Sequence, residues 1–157
     1  MAAADVKSLQ SPKTILVIED NDNDAELVRL MFRRSRILNP IQVVTTVHEA
    51  ICYLKGEVPF SDRKIFPFPI LLMVDSHLPD ASGFDLLRWL QINKPESPLV
   101  AVMLTGSDLN ALKMSYEAGA KSFLVKPLKF DDFQNMVKGV SGIKLTTSTD
   151  GHVVEPE

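Results

Sequence analysis

The sequence predicts an α/β domain of three layers, with a parallel five-stranded sheet between two layers of helices. Three observations carry this expectation. Five short apolar or β-branched runs alternate with segments whose apolar residues recur at helical spacing. The best-formed runs are apolar without interruption, as strands covered on both faces are. Four of the runs end at Glu19-Asp20, Asp75, Thr105 and Lys126, which would gather their side chains at the strand carboxyl edge, where open parallel sheets bind ligands.

The elements follow in order. Residues 1–13 are polar, contain Pro12 and read as a flexible arm. Thr14 to Ile18 is the first strand. Ala25, Val28, Met31 and Phe32 then mark a helix, with Asp22 or Asn23 available to cap it. Ile41 to Thr45 is the second strand, and Val47, Ala50, Ile51 and Leu54 mark a helix stopped by Gly56. Glu57 to Pro69 holds three prolines and three phenylalanines, a composition that excludes regular helix and central strand, so it reads as an ordered or partner-facing loop. Ile70 to Val74 is the third strand, and Gly83 to Asn93 the third helix. Leu99 to Leu104 is the fourth strand, Asp108 to Ala118 the fourth helix, and Ser122 to Val125 the fifth strand. Phe130, Phe133, Met136, Val137 and Val140 mark the last helix. Residues 14–144 thus form one domain, and 145–157, rich in Thr, Ser, Gly and acids, are expected as a disordered tail.

Composition narrows the function. The 157 residues carry a net charge of −3, so no basic field exists to hold nucleic acid or an anionic membrane. No apolar run approaches the ~20 residues of a membrane-spanning helix. The start of the chain lacks the charged and apolar regions of a secretory signal, and Cys52 is the only cysteine, which suits a reducing, cytoplasmic setting.

Glu19, Asp20 and Asp75 would concentrate carboxylates at neighbouring strand ends and invite a hard divalent cation such as Mg²⁺. The competing reading is that the acidic run Glu19 to Asp24 caps a helix and favours its dipole, and for Asp22 and Asn23 that reading is preferred. Asp75 is a potential nucleophile toward phosphorus, although a lone aspartate there is more often a turn residue. Lys126 supplies a point charge suited to phosphate, and Pro127 behind it admits a cis bond. Thr105, followed by Gly106, offers a hydroxyl. Each signal is weak alone, and the argument rests on the four positions occurring together.

Taken in order, Ile15-Leu16-Val17-Ile18-Glu19-Asp20-Asn21, Asp75-Ser76-His77-Leu78-Pro79 with Gly83, Leu104-Thr105-Gly106 and Phe123-Leu124-Val125-Lys126-Pro127 resemble the receiver domain of two-component response regulators, over about residues 14 to 141. The resemblance implies a flavodoxin-like (βα)5 fold with strand order 2-1-3-4-5, an order also known for the chemotaxis receiver. It implies that Asp75 accepts a phosphoryl group from a histidine kinase or phosphotransfer protein. Glu19, Asp20, Asp75 and the backbone carbonyl of His77 would hold Mg²⁺, Lys126 and Thr105 would bind the phosphoryl group, and Thr105 and Phe123 would form the switch. The segment between Gly56 and Ile70 is similar to that of single-domain receivers paired with phytochrome-type kinases. Such receivers often dimerise through the surface that here spans residues 108–141.

Ser76-His77 departs from the more usual apolar residue and asparagine after the phosphoacceptor. The expectation is a phosphorylation-switched signalling domain without its own output module, not an enzyme on free substrates, whose only chemistry is Mg²⁺-dependent self-phosphorylation and dephosphorylation. One rival is a receiver-like binding module that acts without phosphate. A dehalogenase-type phosphatase would want a second aspartate where His77 stands, and a flavodoxin-like cofactor binder would want a phosphate loop in place of the acids after the first strand.

Overall fold

A computed structural model of the chain describes residues 11–106, 113–114 and 116–157. The sheet comprises β1 (Ile15–Ile18), β2 (Ile41–Val44), β3 (Leu71–Asp75), β4 (Val100–Thr105) and β5 (Ser122–Val125). All pairings are parallel, in the order β2-β1-β3-β4-β5. The connecting helices are α1 (Asp22–Arg34), α2 (Val47–Lys55) and α3 (Gly83–Asn93), and α4 (Phe130–Gly139) follows β5. Of the helix expected over Asp108 to Ala118, residues 108–112 and 115 lie outside the described residues, while 113, 114, 116 and 117 are helical.

The period of two along each strand builds two cores. Ile15 and Val17 of β1 pack with Val28, Met31 and Phe32 of α1 and with Phe133 and Val137 of α4. Leu16 and Ile18 face the other way, against Ala50, Tyr53 and Leu54 of α2 and Phe84 and Leu87 of α3. Because β1, β3 and β4 are wholly buried, burial cannot tell their two faces apart, and their sequences read as continuous apolar runs.

Two local expectations need correction. The cap of α1 is Asn21, whose side chain accepts the Asp24 N–H at 3.0 Å, not Asp22 or Asn23; the helix starts one residue earlier than a cap at Asp22 allows. The segment expected as a disordered tail is a β-hairpin of β6 (Ile143–Ser148) and β7 (Gly151–Pro156), paired antiparallel. Ile143 and Val154 are buried in the core beside α1 and α4. The buried Asn39 amide donates to Val154 O at 2.8 Å and accepts its N–H at 2.7 Å, so one side chain satisfies both backbone groups of a strand residue.

The 57–69 loop is ordered by its own aromatics. Tyr53, Phe60 and Phe66 form a cluster with ring centroids 5.2–5.9 Å apart, and Tyr53 Oη donates to Pro67 O at 2.8 Å. Arg63 closes the end of α2, donating to Tyr53 O at 2.7 Å beside the Gly56 N–H, and to Leu54 O at 2.9 Å, a carbonyl of the kind that a helix terminus leaves without an intrahelical partner. Gly56 follows with φ 70°, a left-handed conformation that suits glycine.

Candidate functional site

The parallel register aligns the strand ends. Ile18 stands beside Val74, Asp75 beside Leu104, and Thr105 beside Val125, so the residues that close β1, β3, β4 and β5 share one edge. Glu19, Asp20 and Asp75 each place a carboxylate oxygen within 4.8 Å of the others. Glu19 and Asp75 are buried and Asp20 is exposed, an arrangement with a protein side and a solvent side. Three hard oxygen donors with one face open to water fit a small divalent cation that retains several waters.

Lys126 reaches into this cluster from the end of β5. Its Nζ lies 2.8 Å from Glu19 Oε2, 3.0 Å from Asp24 Oδ2 and 3.1 Å from Asp75 Oδ2. The other oxygens of Glu19 and Asp75 have backbone donors: Asn21 N–H to Glu19 Oε1 and His77 N–H to Asp75 Oδ1, both at 3.1 Å. Burial pushes the Glu19 carboxyl up to about 7; the Lys126 ammonium pulls against this, and the neighbouring Asp75 adds to it. Burial also works to lower the Lys126 ammonium, but the carboxylates of Glu19 and Asp24 and the charge of Asp75 outweigh it, so Lys126 titrates above the ordinary lysine range.

Loop geometry around Asp75 is tightly built. A Cβ on Gly83 would lie 2.2 Å from Asp75 O, so only glycine lets the start of α3 approach the strand end. Ser82 caps α3 reciprocally with Asp85. The Lys126-Pro127 bond is cis.

Thr105 is buried at the end of β4, and its carbonyl accepts the Lys126 N–H at 2.8 Å. His77 is exposed. Phe123 is half-buried, with Tyr116 edge-on at 6.2 Å between centroids. The structure therefore gathers Glu19, Asp20, Asp75, Thr105 and Lys126 at one edge, with Phe123 two residues back from it along β5.

Sequence reasoning missed two residues. Asp24 entered only as the last member of the acidic run and was given no role of its own, and nothing in its spacing shows that Lys126 reaches it. Asp80 accepts the N–H groups of Val47 and His48 at 2.9 and 3.0 Å, tying the loop after β3 to the start of α2. Slight burial works to raise its carboxyl, and these backbone donors outweigh that, holding it below the usual aspartate value. Asp80, distant in sequence from α2, follows no local capping pattern.

The family model described as response regulator receiver domain matches residues 15–138. The chain belongs to that family. The receiver is 27% identical to the response regulator Rcp1 of Synechocystis over 139 residues, 88% of this chain and 92% of that protein. It is similar in structure to the bacteriophytochrome response regulator RtBRR, with TM-score 0.75 and 30% identity over 93% of this chain and 84% of that one. The Mn²⁺-bound form of Rcp1 matches with TM-score 0.64 and 26% identity, covering 82% of the receiver and 91% of that chain. Among the described residues, no helix is long and apolar enough to cross a membrane.

Proposed function

We propose that this receiver takes a phosphoryl group onto Asp75 from a sensor histidine kinase or a phosphotransfer protein and signals through a changed surface. The observation that carries the reading is the convergence on Asp75 of the Lys126 ammonium, at 3.1 Å, and of the carboxylates of Glu19 and Asp20. An oxygen of Asp75 attacks phosphorus, the bond to the donor breaks with its electron pair leaving on the donor, and an acyl phosphate forms. Glu19, Asp20, Asp75 and the His77 carbonyl would hold Mg²⁺, which when bound would supply charge neutralisation for the phosphoryl oxygens. Lys126 pairs with the phosphoryl group from the side of β5 and Thr105 offers its hydroxyl from β4. Phe123, half-buried beside Tyr116, is the aromatic that responds as Thr105 is drawn to the phosphate.

Similarity to the bacteriophytochrome response regulator RtBRR supports a phytochrome-type kinase as the partner, and the single cysteine, Cys52, suits a cytoplasmic site of action. A homodimer through residues 108–141 belongs to the same reading, although 108–112 and 115 of that surface lie outside the described residues. A module that acts without phosphate has no use for two buried carboxylates, Glu19 and Asp75, that converge on one lysine. The test is intact mass after incubation with Mg²⁺ and a small acyl phosphate: the wild type gains one phosphoryl group and Asp75→Asn gains none. Equal gain in both, or none in the wild type, rejects the reading.

A further inference from the structure

Lys126 carries three ammonium protons, and three carboxylates lie within hydrogen-bond distance of it. A phosphoryl oxygen on Asp75 gains this cation only if one of them releases it. Glu19 and Asp75 belong to the acid cluster that fits a divalent cation; Asp24 does not. With a cation drawing on the oxygens of Glu19 and Asp75, Asp24 is the carboxylate left to compete with the phosphoryl group for Lys126.

Asp24 is also built to let go. Its side chain is 37% exposed, against 1% for Glu19 and 9% for Asp75, so water can replace the lysine on Asp24 at little cost, a substitute that the buried Glu19 and Asp75 lack. Its backbone is fixed independently of Lys126, in the first turn of α1, by the N–H bond to the Asn21 cap. The carboxylate can lose its partner without loosening the helix.

We propose that Asp24 is a counter-ion lock: it holds the Lys126 ammonium in the unphosphorylated receiver and competes with the phosphoryl group for it, so that Asp24 sets how tightly Asp75 retains that group. The inference rests on the phosphoacceptor reading above. Asp24 touches no reacting atom in this scheme and is a positioning residue acting through Lys126.

The test measures affinity for beryllofluoride, a phosphoryl mimic, in the full chain with Mg²⁺ saturating, by calorimetry and by the ¹⁹F signal of the bound anion. Removing a partly exposed ion-pair partner predicts that Asp24→Asn binds about fivefold more tightly, about 1 kcal/mol. Asp24→Glu restores the charge and returns the affinity to within about twofold of wild type. In a Lys126→Met background the same Asp24→Asn change yields less than about twofold, because the competition no longer exists. An unchanged affinity in Asp24→Asn overturns the lock, as does an equal gain with and without Lys126, which would mark only the removal of a negative charge near an anion. A wild type that takes up neither beryllofluoride nor phosphoryl rejects the phosphoacceptor reading itself, a result distinct from wild-type binding that Asp24→Asn leaves unaltered.

Discussion

Gly83→Ala sets two opposing effects against each other. Replacing glycine by alanine in a helix interior stabilises by up to ~1 kcal/mol, and less at a first helical position such as this one, where the intrahelical bonds are incomplete. Against it stands contact: the added Cβ would lie 2.2 Å from Asp75 O and 3.0 Å from Val74 Cγ1. Neither atom is the free end of a flexible side chain, for Asp75 O is backbone and Val74 is wholly buried. Overpacking of this kind costs roughly 1–3 kcal/mol, so the net expectation is a loss of about 1–2 kcal/mol. For a domain of this size that corresponds to a fall in Tm of about 2–8 °C. Gly139→Ala is the control: nothing lies within 4 Å of its Cβ position, so the helix-propensity effect acts alone and Tm holds or rises. Thermal unfolding of both variants by circular dichroism decides the matter. A Gly83→Ala Tm at or above wild type, or an equal fall in Gly139→Ala, refutes the claim that close approach to Asp75 requires glycine. Because the strained atom is the carbonyl of the candidate phosphoacceptor, slower uptake of phosphoryl from a small donor should accompany the lower Tm.

Three further outcomes are expected. Burial raises Glu19 from 4.5 to about 7, so across that window the native chain holds a proton that the unfolded chain has lost, and this group's contribution to stability falls as pH rises. Mg²⁺ requires the ionised carboxylate, so its affinity should climb with pH through the window and level off above it; a flat calorimetric profile would contradict the assignment. Asn39→Ala removes bonds to Lys13 O, Val154 O and Val154 N and strands buried backbone groups, for a loss of about 3 kcal/mol; denaturant titration reads the loss, and hydrogen exchange should locate it in β6 and β7. Arg63→Ala takes its donor from Leu54 O and leaves Tyr53 O to the Gly56 N–H alone, at about 1–2 kcal/mol, and faster proteolysis within residues 57–69 would report it.

The elements that position the site were legible because each is specified locally. Thr46 and Gly56 bracket α2, Ser82 and Asp85 start α3, and the continuous apolar runs of β1, β3 and β4 admit little but a sheet covered on both faces. The hairpin at the end of the chain was not legible by the same criteria. Along β6 only Ile143 is fully buried, and along β7 only Gly151 and Val154, so its composition is that of a solvated segment. What fixes it lies elsewhere in the sequence: the Asn39 amide, and Arg36, whose guanidinium donates to Thr149 O and Asp150 O at 2.9 Å. The turn around Thr149-Asp150-Gly151 between β-branched runs was the available signal. Gly151 is held to glycine by contact as well as by its φ of 145°, since a Cβ there would lie 2.2 Å from Arg36 O.

The convergence of the site depends on strand order, which periodicity leaves open and which only the family resemblance supplied. In the order β2-β1-β3-β4-β5, the ends of β1 and β5 are three strand spacings apart, about 14 Å. Two long side chains must meet head to head to close that gap, and Glu19 and Lys126 do so at 2.8 Å. Between them stand the ends of β3 and β4, carrying Asp75 and Thr105, whose shorter side chains leave the space above them to the lysine. Length therefore grades along the edge: long acid, short acid, short hydroxyl, long base. Any order that placed β5 beside β1 would let Lys126 pair with Glu19 without passing over Asp75, and the same residues would form a surface salt bridge remote from the candidate phosphoacceptor.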